Sequence, residues 1–101
     1  MKRMIPINID KRYKKLKEVL NEAYNQATKG KGHGRHDDGE MVENQHTLRT
    51  GRTHKGFCTG QAAKKIEEQV RFDTPEAKKK ELLGAIVYLA FQIILLNEEI
   101  K

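Results

Sequence analysis

A chain of 101 residues with 37% hydrophobic and 34% charged residues is a single domain, and one copy has little surface with which to bury a core. Its formal charge of +6 suits a phosphorylated or polyanionic partner, and a single cysteine, Cys58, excludes an internal disulfide and fits a cytoplasmic setting. The opening MKRMIPINID has no apolar run behind its basic residues, so no signal peptide is expected, and the apolar residues fall in blocks, which argues against disorder outside the middle and the termini.

The first predicted element is an amphipathic helix from Asn8 or Asp10 to about Lys29. Ile9, Tyr13, Leu16, Leu20, Ala23 and Ala27 alternate at spacings of four and three, which places them on one stripe. Asn8 or Asp10 suits the N-cap and Gly30 the left-handed exit. Lys11, Arg12, Lys14, Lys15 and Lys17 make its first turns basic, against the helix dipole, so they project into water or meet an anion.

Residues 30–58 read as a glycine-, histidine- and arginine-rich loop. Seven of the eight glycines, all four histidines and the cysteine lie between Lys29 and Gln61. A segment of that composition cannot bury a core of its own, and its density of polar chemistry points to a ligand loop.

Two further helices follow. One starts at Thr59 or Gly60 and runs to about Phe72, with Ala62, Ala63, Ile66 and Val70 inward and Lys64, Lys65, Glu67 and Glu68 outward. The other has the clearest start signal in the chain: Thr74 as N-cap, Pro75 at the first helical position and Glu76 in the first turn, with its end near Glu99. Its run LLGAIVYLAFQIILL, residues 82–96, has one strongly polar member, Gln92. Fifteen residues fall short of the ~20 that a membrane span needs, so the run predicts a buried helix and no membrane insertion. A helix apolar on every side must be covered on every side, and the other helices supply too little surface. The expectation is an all-α fold whose last helix is buried in a homo-oligomer.

Four chemistries compete for the middle segment. The first is anion binding. GKGHGR interleaves glycines with Lys31, His33 and Arg35, and Gly56, Thr59 and Gly60 precede a helix whose free N–H groups seat a second anion, with Lys64 and Lys65 one turn on. No Walker loop or GxGxxG is present. Phe57, Tyr13 and Tyr24 are stacking candidates for a base, and Asn44 and Gln45 offer amides to a base edge. Glu43 could hold a ribose hydroxyl. The second is zinc, from His33-x2-His36 and His54-x3-Cys58, with His46, Asp37 and Asp38 as further ligands. The third is catalysis, from His36 beside Asp37 and Asp38 or from Cys58 with His54, although Glu67-Glu68 and Glu98-Glu99 lack the spaced pattern of a helical magnesium cluster. The fourth is nucleic-acid binding by the basic first helix, without a recognisable motif.

The pieces GKGHGRH (30–36), ENQ (43–45), GFCTGQAAKK (56–65) and ELLGAIVYLA (81–90) resemble a group of small proteins encoded by phages and prophages, over roughly residues 24–96. The resemblance singles out Arg35, His36, Gln45 and the GQAxKK helix start, and it does not require His33, His54 or Cys58. A phage setting implies a further likeness, in logic and not in motif, to small helical oligomers that sequester host immune-signalling nucleotides without cleaving them. The ligand-binding set expected on these grounds is Lys31, Arg35, His36, Gln45, Phe57, Thr59, Gly60, Lys64 and Lys65. No catalytic residue, metal or cofactor is expected. The expected partners are further copies of the chain and a phosphorylated nucleotide in the (host) cytoplasm. The alternatives are a nucleic-acid-binding accessory protein and a small nucleotide hydrolase.

Overall fold

The computed structural model describes residues 9–29 and 39–100. Among them every regular element is helical: α1 (Ile9–Arg12), α2 (Lys14–Lys29), α3 (His46–Thr53), α4 (Phe57–Glu68) and α5 (Pro75–Glu99), with 3₁₀ turns at Val42–Asn44 and Gln69–Arg71. The all-α expectation holds for these residues.

α5 organises the rest, and α2, α3 and α4 all pack on it. It starts as its sequence demands. The Thr74 hydroxyl accepts the Ala77 N–H at 3.1 Å, Pro75 follows, and Glu76 faces the positive helix end. It is long and apolar enough to cross a membrane by length and composition. Here its inner face carries the core instead. Ala85, Tyr88, Phe91 and Leu95 close on Leu48 of α3 and on Cys58 and Ala62 of α4, with Phe57, Val87 and Ile94 at the margin.

Small residues set the closeness of that packing. A Cβ at Gly51 would stand 2.6 Å from Leu95 Cδ1 and 3.3 Å from Cys58 Sγ. At Gly84 a Cβ would meet the Lys65 stem at 2.9 Å. Gly51, Cys58, Ala62, Gly84 and Ala85 therefore line a close helix seam.

Three expectations are corrected. α1 and α2 are one rod, because Tyr13 N–H bonds to the Ile9 carbonyl and Lys17 N–H to the Tyr13 carbonyl, both at 3.0 Å. Of its stripe, however, only Ala23 is buried, while Ile9, Tyr13, Leu16 and Leu20 are 49–66% exposed. Only the second half of α2 meets α5, through Ala23, a Gln26 Nε2 bond to the Lys80 carbonyl at 3.1 Å and a Lys79–Glu22 ion pair. The first half projects as an arm.

Second, α4 starts at Phe57, two residues earlier than expected, and is rotated. Cys58 and Ala62 face in, whereas Ala63, Ile66 and Val70 are exposed. Third, the 30–58 segment is not loop throughout, because α3 lies inside it. α3 is held by burial of Thr47, Leu48 and Gly51, and its arginines fix what precedes it. Arg49 Nη1 donates to the Asn44 carbonyl and Arg52 Nη2 to the Glu43 carbonyl.

Candidate functional site

The structure divides the expected ligand residues into three groups. Lys31, Arg35 and His36, with His33, Asp37 and Asp38, lie outside the described residues. Gln45, Phe57 and Lys65 are engaged in holding the fold. Thr59, Gly60 and Lys64 share an open face of α4.

The engaged group makes these contacts within the fold. Gln45 Nε2 donates to the Glu40 carbonyl at 3.0 Å, bracing the turn ahead of α3. Phe57 meets Tyr88 edge to face at 6.4 Å between centroids, and Tyr88 meets Phe91 at 6.1 Å, so Phe57 belongs to an aromatic row in the core. Lys65 was expected to point outward. Its stem instead crosses Gly84, and its ammonium lies 3.6 Å from Glu81 and 6.0 Å from the Tyr88 ring centre, with the side chain 16% exposed. An amphipathic stem covering a glycine explains the reversal.

The open group has a different character. Gly56, Thr59, Gly60, Ala63 and Lys64 are all exposed. Positions 56, 59, 60, 63 and 64 fall on one side of a 3.6-residue helix. At both Gly56 and Gly60 an added Cβ would meet nothing within 4 Å. No side chain caps this helix start. The Phe57 N–H returns to the His54 carbonyl at 2.9 Å and the Gly60 N–H makes the first α-type bond, to the Gly56 carbonyl, at 2.8 Å. Thr59 Oγ1 donates to that same carbonyl at 3.3 Å. The result is a flat patch at the positive end of a twelve-residue helix with a lysine one turn along.

The His54–Cys58 pairing does not converge. His54 is exposed, whereas Cys58 is fully buried and burial raises its thiol pKa, which disfavours the thiolate needed for either zinc binding or nucleophilic attack. Among the described residues no group of three or more His, Cys, Asp and Glu side chains comes together.

A concavity of about 300 Å³ lies between the ends of α3 and α5, joining residues that no local sequence pattern connects. Gly51, Arg52, Lys55, Gln92, Leu95, Glu98 and Glu99 line it. Its charges are matched internally. Arg52 grips Glu98 through two bonds, Nε to Oε1 at 2.9 Å and Nη2 to Oε2 at 2.6 Å, and Lys55 lies 3.7 Å from Glu99. Gln92 Oε1 is buried there with no hydrogen-bond partner among the described residues.

The hydrogen bond from Arg52 holds the Glu98 carboxyl below its ordinary pKa, its charge adds to this, and desolvation opposes it. A carboxyl with a lower pKa folded than unfolded contributes stability above its unfolded value and loses it as the pH falls through the folded one. Acid should therefore loosen the α3–α5 clamp. Unfolding curves at pH 7 and in the acid range should show Glu98→Gln less stable than wild type at pH 7 and the gap closing in acid. A gap independent of pH would rule out the ion pair as its source.

Compared with known protein families, curated proteins and solved structures, the chain matches none. The site must be read from its own chemistry.

Proposed function

We propose that this chain is a non-enzymatic binding protein for a phosphorylated nucleotide-type ligand, of the kind with which a phage sequesters a host immune-signalling nucleotide. The observation that carries this reading is the open start of α4, where two glycines and Thr59 lie exposed at a positive helix end, with Lys64 further along the same exposed face. Backbone N–H groups at such an end favour a phosphate, and glycines let it approach closely. The net charge of +6 steers anions toward the protein. The GKGHGRH segment supplies the arginine and histidine of the expected ligand set.

Thermal-shift and calorimetric titrations against linear and cyclic nucleotides, with inorganic phosphate as control, test the reading. At a hundredfold excess over Kd a ligand adds about 2.7 kcal/mol of stability. Lys64→Glu should weaken binding by about tenfold or more without changing helicity, since a charge-assisted bond becomes a repulsion. Denaturing the loaded protein should return the nucleotide intact. No shift with any nucleotide would overturn the reading, and magnesium-dependent hydrolysis would favour the hydrolase instead.

The basic arm keeps one alternative alive. Arg12, Lys14, Lys15 and Lys17 are all exposed along the first turns of the rod. Duplex binding that falls steeply with log salt would favour a nucleic-acid partner, because many phosphates would be neutralised at once.

A further inference from the structure

α5 has two apolar faces, and the fold uses one. Opposite the core lie Leu82, Ile86, Leu89, Ile93 and Leu96, followed by Ile100 at the capping position just past the helix, at spacings of four, three, four, three and four. This is the 3.5-residue repeat of helices that pack along a seam. Ile86 is partly exposed, Leu82, Leu89, Ile93 and Leu96 are 40–56% exposed, and Ile100 more so. The stripe runs for about 27 Å at 1.5 Å per residue. An apolar strip of that length, rimmed by charge at both ends, marks an interaction surface.

We infer that a second copy of this chain covers the stripe, with its α5 antiparallel to the first about a two-fold axis between Leu89 and Ile93. Three features select this occupant. A two-fold interface needs a patch complementary to itself, and this one reads equally in both directions. Antiparallel pairing sets Leu82 opposite Ile100, Ile86 opposite Leu96 and Leu89 opposite Ile93, so each leucine meets an isoleucine.

The helix dipole chooses the same orientation. No charged residue lies between Leu82 and Leu96, and antiparallel copies oppose their helix dipoles favourably, whereas parallel copies align them. Among the described residues the stripe also has no rival occupant, since α3 and α4 pack on the other side of α5 and these residues stay exposed or half-buried.

The test is a charge-swap mixture followed by sedimentation at micromolar concentration. Wild type should sediment as a dimer or an even-numbered assembly. Leu89→Glu and Ile93→Lys should each, alone, sediment at half that size or less while keeping the helical circular-dichroism signal. Mixing the two variant chains should restore the larger species, because antiparallel pairing brings the new carboxylate of one beside the new ammonium of the other. A parallel seam would not be restored, and that outcome overturns the geometry.

A monomeric wild type overturns the inference outright, as does wild type that floats with phosphatidylcholine–phosphatidylglycerol vesicles through this face. If a charged variant fails to fold, chains carrying Leu89→Cys and Ile93→Cys decide. A mixed disulfide forming faster than either homodisulfide supports the seam, and the reverse rejects it.

Discussion

Leu48→Ala should remove about 2–5 kcal/mol of folding stability, the range for truncating a buried leucine. Leu48 has no solvent exposure and is the one large apolar side chain of α3, inserted among Cys58, Ala62, Ala85, Tyr88, Phe91 and Leu95. Its neighbours sit on α4 and α5, which also pack on each other, so the hole can collapse little. Domains of this size are stable by about 5–15 kcal/mol in total, so a loss in that range is a large share. In thermal melts at one protein concentration it corresponds to a fall of roughly 8–40 °C. A fall under about 5 °C would mean that α3 does not seal the core in solution, and the account of the 46–53 segment would fail with it.

That segment shows where the sequence stops being readable. HTLRTGRT contains a glycine and three β-branched threonines, has little intrinsic helix preference, and sits in a run of turn-forming composition. Its helix exists because Thr47, Leu48 and Gly51 fit against α4 and α5 and because Arg52 is anchored on Glu98. Those partners lie elsewhere in the chain, and no local pattern announces them. α5 is the opposite case, since Thr74, Pro75 and Glu76 are local instructions and were sufficient to place its start. The arm is intermediate. Its stripe was legible from spacing, but spacing cannot say whether a stripe is covered by the same chain, and four of its six members are exposed.

The candidate site was legible in the same partial way. Thr59, Gly60 and Lys64 were chosen for composition near a helix start, and they do share an open face. Lys65, from the same helix start, and Phe57, an aromatic candidate for stacking on a base, face inward, because the buried side of α4 runs through Cys58 and Ala62 and leaves Ala63 and Ile66 exposed. Adjacent positions on a helix stand about 100° apart, enough to leave Lys64 in solvent and to carry Lys65 onto the packed side. The 300 Å³ cleft went unread because Arg52, Gln92 and Glu98 are far apart in sequence and only the α3–α5 packing joins them.

Glycines 51 and 60 share one motif-rich stretch, and their substitutions should have opposite signs. Gly51→Leu should cost about 3 kcal/mol or more, since even a Cβ would stand 2.6 Å from Leu95 Cδ1 and a larger side chain has no space to enter. Gly51→Ala should be milder, because about 1 kcal/mol of helix propensity offsets part of the crowding. At Gly60 the space is open and the residue is helical, so Gly60→Ala should raise stability by about 0.5–1 kcal/mol. The same methyl would stand on the exposed face of α4, where a phosphate is proposed to approach the backbone. Gly60→Ala should therefore melt later than wild type and yet bind its nucleotide more weakly, a pairing that general damage to the fold cannot produce. Unchanged affinity together with the higher melting temperature would remove Gly60 from the site and leave it only a helix position that tolerates a side chain.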